Sequence, residues 1–262
     1  MGKMPHIQLD ETIGATCAIL PGDPARVDEI AKYLTDVRPG AFNREYKSLT
    51  GYYKGRRVLA ISTGMGGPSA AICIEELADL GVNQMVRIGS CGALQKELRL
   101  GQLVICDRAV CDDGTSQTYL DMLRYASGQL SFGRELKEDE ILFADADPDM
   151  VRICENAARE LDFDYAVGST RSHDGLYLAR KGELDSFYSG KGIYASDMET
   201  AALFAVGAKR DVRCVSILNV VVEWKKDIKE GVGAYKDGAD AAARGERDEI
   251  ILALETLVNF VS

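Results

Sequence analysis

The stretch RRVLAISTGMGGPSAAICIEELADLGVNQMVRIGSCG (56–92) decides the architecture. RRVLAIST (56–63) is a short apolar run that ends at the glycine turn Gly64–Gly67, and a run so bounded reads as a strand. After Pro68, SAAICIEELADLG carries apolar residues at spacings of three and four and stops at Gly81, as a helix should. QMVRIGSCG (84–92) is another strand, again running into a glycine turn. Strand, helix and strand in succession point to an α/β layer structure.

The flanking sequence repeats this alternation. TCAIL (16–20) is a short apolar run that ends in PGDP, and a helical pattern follows from Ala25 to Leu34. LVICDRAV (103–110), YAVGST (165–170) and VRCVSILNVVV (212–222) read as further strands. Asp147-Pro148 opens a helix to about Leu161, with Asp as N-cap and Pro in the first turn. METAALFAVGAKR (198–210) is helical. So is roughly Asp240 to Phe260, with Ile250, Ile251, Leu254, Leu257 and Val258 on its inner side. Residues 112–146 are polar and weakly periodic, a long excursion expected near the site. Trp224 to Gly238 is charged and glycine-containing, a segment expected to move. No composition break or internal repeat divides residues 1–262, so a single domain with a largely parallel sheet is expected. In such sheets ligands bind beyond the carboxyl ends of strands. The glycine turns at 21–23, 64–67 and 89–92 should therefore share one edge.

Composition narrows the function. With 262 residues, 46% of them hydrophobic, the chain can bury a large core. A net charge of −10 disfavours nucleic acid and anionic membranes as partners, so an anionic substrate would need a local arginine cluster. No apolar run reaches the roughly 18–20 residues that span a bilayer. The opening MGKMPHIQLDET lacks the apolar core of a secretory signal, so a cytoplasmic location is expected. The seven cysteines are odd in number and several sit in apolar runs, which reads as reduced core residues. With two histidines and no CxxC pair, no metal site and no cofactor are expected.

Two segments carry the first chemical signal. In PGDPARV (21–27), glycine after a strand lets amides approach an anion, and Arg26 sits in the next helical turn. The same residues also make an ordinary turn. In VRIGSCG (86–92), Arg87 ends an otherwise apolar strand, where an uncompensated charge is costly, and Ser90 follows. Either a bound anion or a structural carboxylate would compensate it.

PGDPARV, NREYKS (43–48), STGMGGPS (62–69), RIGSCGAL (87–94) and DMET (197–200) occur in the order and approximate spacing of the nucleoside phosphorylase-I family. The chain resembles that family, which includes purine nucleoside and uridine phosphorylases, from about His6 to its C-terminal helix. The resemblance implies a mixed, partly closed barrel flanked by helices. It implies a phosphate site of Gly22, Arg26, Arg87 and Ser90, with Arg44 reaching in from a neighbouring subunit. His6 would contact the ribose across a dimer interface, Met198 would pack on the sugar, and Glu199 would accept from its hydroxyls. Asp197 stands where the family usually has Glu. Glu45, Met65 and Ser69 match a monovalent-cation site of some uridine phosphorylases, and no metal is assigned here from that match. Inorganic phosphate would be a co-substrate, and the family's dimers and hexamers imply a homo-oligomer.

The base is read from two segments. Glu223, after VVV, falls near the position where bacterial purine enzymes of the family carry an acid, and burial would fit a Glu for that role. In SHDGLYLARKGE (172–183), Tyr177 matches the second residue of the family's Phe-Tyr pair and Leu176 replaces the Phe. Arg180 and Gly182 stand where uridine phosphorylases have Gln and Arg, so the uracil reader is missing and a purine is favoured. Arg180 or Lys181 remains open as a contact to a pyrimidine carbonyl. Arg87, Glu199 and Glu223 are thus the candidate catalytic residues. A uridine phosphorylase is the alternative, and behind it stand a water-using nucleosidase and a non-catalytic nucleoside-binding protein of the same fold.

Overall fold

A computed structural model of the chain describes residues 2–126, 141–226 and 240–260. The first half forms β1 (Cys17–Pro21), α1 (Pro24–Ala31), β2 (Thr35–Asn43), β3 (Tyr46–Tyr53), β4 (Arg56–Ile61), α2 (Gly67–Asp79) and β5 (Gln84–Ala93). Next come β6 (Leu103–Asp112), α3 (Gly114–Ala126), β7 (Phe143–Asp145), α4 (Pro148–Glu160) and β8 (Tyr165–His173). The chain ends with α5 (Lys181–Gly190), β9 (Ala195–Asp197), α6 (Thr200–Arg210), β10 (Arg213–Val222) and α7 (Asp240–Asn259).

The ten strands make one mixed sheet. β4, β1, β5 and β10 lie parallel, as the alternating pattern requires. β10 also pairs with β6, and β6, β8 and β9 lead back to β5, so five strands close a barrel. The mixed, partly closed barrel implied by the family resemblance is thus present. β9 meets β5 antiparallel, with Gly92 opposite Ser196. β8 and β9 therefore enter from the direction opposite to β1, β4 and β5.

Both faces of the central strands are covered, which explains their continuous apolar runs. Successive side chains alternate in direction. Ala18, Leu20 and Met85 pack on the side of α2 and α6 with Ile74, Leu77 and Phe204. Ile19, Val86, Ile88, Ile105 and Ile217 pack on the side of α1, α4 and α7 with Val27, Met150, Leu254 and Leu257. Asp147 caps α4, accepting from the Met150 amide at 2.9 Å, with Pro148 in the first turn.

Two regions differ from the sequence reading. Residues 35–53 form the β2–β3 hairpin, which the apolar pattern does not announce because β2 is exposed along most of its length. The polar excursion 112–146 contains α3 and β7. Asp113 anchors α3 through the Ser116 amide and hydroxyl. Most of the segment expected to move, residues 227–238, lies outside the described residues.

Candidate active site

The carboxyl ends of β1, β4 and β5 meet, as expected, at a cavity of about 1460 Å³. Gly22 and Gly64, from the turns after β1 and β4, line it, and so does Gly89, which lies inside β5 rather than in the expected turn because the strand stays paired with β10 as far as Gly92. β8 and β9 reach the same cavity from the other direction and deliver His173, Met198 and Glu199. Val222 and Glu223 close one side at the end of β10.

Arg26 is placed by its helix start. Asp23 accepts from the Ala25 amide at 2.8 Å and Pro24 begins the turn, so Arg26 lies in the first turn of α1. Its guanidinium donates to Glu249 at 2.8 Å and lies 3.3 Å from Glu246, both on α7. Glu249 is wholly buried, and burial pushes its carboxyl up to about 8 against the opposing pull of Arg26.

Arg87 is 5% exposed and lies within β5, two residues before Gly89. A Cβ on Gly89 would lie 2.7 Å from Arg87 Nη2, so glycine makes room for the guanidinium. Arg87 Nη2 donates to Glu199 Oε2 at 2.5 Å, and Nε lies 3.4 Å from Asp197. Arg87 Nη1 has no hydrogen-bond partner among the described residues. Of the two compensations open in the sequence, the structure supplies the carboxylate and still leaves Nη1 without a partner and Nε without a hydrogen bond among the described residues.

Glu199 is fixed from three directions. Its Oε1 accepts from the Gly66 amide at 2.6 Å, its Oε2 accepts from Arg87, and the backbone before α6 is held by Asp197. Asp197 accepts from the Glu199 and Thr200 amides at 3.2 and 2.9 Å and from the Ser172 hydroxyl at 2.6 Å. Asp197 therefore orients Glu199 rather than offering free lone pairs to a ligand. Burial pushes the Glu199 carboxyl up, while Arg87 pulls it down.

Most of the residues named from sequence converge. Gly22, Arg26, Arg87, Ser90, Met198, Glu199, Leu176, Tyr177 and Glu223 all line the cavity. Glu45 and Met65 line it too, and Glu45 accepts from the Ser69 hydroxyl at 2.5 Å, which lowers its pKa.

Three named residues are not brought in. Arg180 has its side chain 79% exposed and pairs with Glu183 at 2.5 Å, a local contact at the start of α5. Its neighbour Lys181 lines the cavity instead, paired with Asp185. Arg44 is exposed at the tip of the β2–β3 hairpin, in left-handed backbone with φ 55°. His6 is tied to Glu76 at 2.5 Å. The Asn43 amide donates to the His6 carbonyl at 2.7 Å, so hairpin tip and N-terminal segment share one surface patch.

Sequence reasoning missed Glu249, His173 and Trp224. Glu249 sits in the charged run RGERDE, which reads as a solvated face. Only its place on the buried side of α7 marks it out.

Comparison with known proteins fits this geometry. The model of the phosphorylase superfamily matches residues 16–254. A guanosine phosphorylase of Halorubrum lacusprofundi is 31% identical over 262 residues, covering 100% of this chain and 99% of that one. The structure of a uridine phosphorylase from Vibrio fischeri ES114 superposes with a TM-score of 0.84 at 35% identity, covering 99% of both chains. A purine nucleoside phosphorylase from Toxoplasma gondii, in complex with immucillin-H, gives a TM-score of 0.79 at 27% identity, covering 99% of this chain and 96% of that one. The chain belongs to the nucleoside phosphorylase family within the phosphorylase superfamily.

Proposed function

We propose that this enzyme cleaves purine nucleosides with inorganic phosphate, using Gly22, Arg26, Arg87 and Ser90 for phosphate and Met198 and Glu199 for ribose. The observation that carries the reading is the buried Arg87–Glu199 contact at 2.5 Å inside one cavity. It sets a cation for the phosphate beside an anion for the sugar hydroxyls. Arg87 Nη1, without a partner among the described residues, is the donor left for a phosphate oxygen.

In the reaction, a phosphate oxygen bonds to C1′ as the glycosidic C–N bond breaks, and the bonding pair leaves with the base. Positive charge builds on the ribose, and the phosphate dianion held below it stabilises that charge in a preorganised site. Holding both reactants in line removes most of the entropic penalty of their encounter. Glu223, at the end of β10, is the group placed to pass a proton to the departing purine at N7, and the products are free base and ribose 1-phosphate. Glu199 holds the sugar, itself anchored by Gly66 and Arg87.

Arg44 and His6 act on the partner's site in this reading, so the working unit is at least a dimer. Their shared surface patch, joined through Asn43, supports this. The family's hexamer is the assembly we favour. All seven cysteines are buried and free, which suits a reducing compartment and supports the cytoplasm as location.

Uridine phosphorolysis is the second reading, favoured by the close superposition on the Vibrio enzyme. Against it stand Gly182, which has no side chain, and Arg180, which is turned to solvent. The test is a panel of inosine, guanosine, adenosine, uridine and thymidine, each incubated with and without phosphate and assayed for free base. Purine release that depends on phosphate is expected. Release without phosphate would make the protein a hydrolase, and no release would leave a binding protein.

A further inference from the structure

His173 ends β8 and lines the cavity beside Leu176 and Tyr177, yet it is only 4% exposed. Among the described residues neither ring nitrogen makes a hydrogen bond, and Nδ1 is sealed from solvent. A buried imidazole without a partner is costly, so a role toward a ligand is its simplest explanation.

The seal also favours one placement of the proton. A buried N–H without an acceptor is a rarer and costlier orphan than a bare lone pair. The favoured neutral tautomer leaves Nδ1 bare and puts the hydrogen on Nε2, the nitrogen that can meet the cavity. Burial, reinforced by Arg171 and Lys181 and opposed by Asp197 and Asp112, pushes the ring's pKa down and so favours the uncharged form. Arg171 is itself committed to Asp112 at 2.6 Å, and Lys181 to Asp185. Those two cations are thus satisfied, whereas His173 is not. The wall beside Leu176 and Tyr177 therefore offers a ligand one directed N–H donor.

We infer that His173 is a specificity-determining residue, donating from Nε2 to a carbonyl oxygen on the base and selecting oxo bases over their amino counterparts. Inosine and guanosine carry an oxygen where adenosine carries an amine, and uridine carries one where cytidine carries an amine. An amine there would set donor against donor in a dry site. The inference rests on the phosphorolysis reading but not on the choice of ring, since the oxo-against-amino contrast exists for purines and pyrimidines alike.

The experiment measures kcat/KM for inosine, adenosine, uridine and cytidine, with the KM for phosphate, in wild type, His173→Phe and His173→Gln. For the ring type it accepts, wild type is expected to prefer the oxo nucleoside by at least roughly 100-fold, because a site built to hydrogen-bond a group rejects analogues lacking it. His173→Phe keeps a flat ring without nitrogen. It should lose roughly 10- to 100-fold on the oxo substrate and collapse the oxo/amino ratio towards one, with the phosphate KM within about threefold of wild type. His173→Gln both donates and accepts, so it should keep the oxo substrate within about tenfold and admit the amino one. Should the Phe variant fail to fold, the Gln variant carries the same ratio test. A wild type that cleaves both members of a pair equally, or variants that keep the wild-type ratio, would overturn the assignment. Phosphate-dependent release that ignores base identity removes His173 alone. Absence of release from every nucleoside removes the phosphorolysis reading and this inference with it.

Discussion

Glu249→Gln is the most quantitative test of the site's electrostatics. Glu249 lies on α7 with none of its surface exposed, and it accepts from Arg26 at 2.8 Å. Burial dominates its titration and raises the carboxyl from 4.5 to about 8. Between those values the folded protein holds a proton that the unfolded chain releases, so stability must fall as pH rises through that window. The contribution is fully present below about pH 4.5 and lost above about 8. At 1.36 kcal/mol per pH unit the whole displacement amounts to roughly 5 kcal/mol, a ceiling because water penetration raises the local dielectric. The side-chain amide introduced by Glu249→Gln reproduces the shape of the protonated acid but cannot ionise. Chemical denaturation of both proteins at pH 5 and pH 9 isolates this contribution, since titrations remote from Glu249 are shared and cancel in the difference. Wild type should lose several kcal/mol more than the variant, up to about 4, between those two pH values. Any constant cost of weakening the Arg26 contact drops out of the comparison. Parallel pH dependences, or a steeper loss in the variant, would refute the account of Glu249 as a buried acid.

Four further outcomes are expected. Arg87→Ala should lower kcat/KM for phosphorolysis at least about 100-fold, as removal of a preorganised donor does, and near-normal turnover at low phosphate would sink the phosphate site. Gly89→Ala places a methyl 2.7 Å from Arg87 Nη2, so the phosphate KM should rise several-fold while the nucleoside KM moves less, and an unchanged phosphate KM would argue against this packing role. Glu223→Gln should slow inosine cleavage about 10- to 1000-fold and uridine cleavage far less, with equal effects removing it as the purine acid. Arg44→Ala and Arg87→Ala subunits, each nearly inactive alone, should regain about a quarter of wild-type activity after random subunit exchange, because one site in each mixed dimer is then intact. No recovery would confine Arg44 to its own chain.

Local sequence was enough to specify the parallel layer and one end of the site. Strands such as TCAIL and QMVRIGSCG are apolar on both faces because helices cover both, and the glycines at or after their ends mark the cavity edge, although Gly89 and Gly92 remain within β5. Those are properties of consecutive residues, and Gly22, Arg26, Arg87 and Ser90 follow from them together with the motif order. Closure of the barrel arises only in three dimensions. The antiparallel meeting of β9 with β5 brings Glu199 within 2.5 Å of Arg87, although 112 residues separate them in the chain. No periodicity encodes that crossing, because it depends on which strand edges remain unpaired once the layer has formed. The same holds for Glu249 and His173. A carboxylate in a charged run and a histidine at a strand end look solvated in one dimension, and only packing against α1 and the cavity wall removes water from them. Desolvation, which depends on everything folded around a group, is what shifts the titration of both residues.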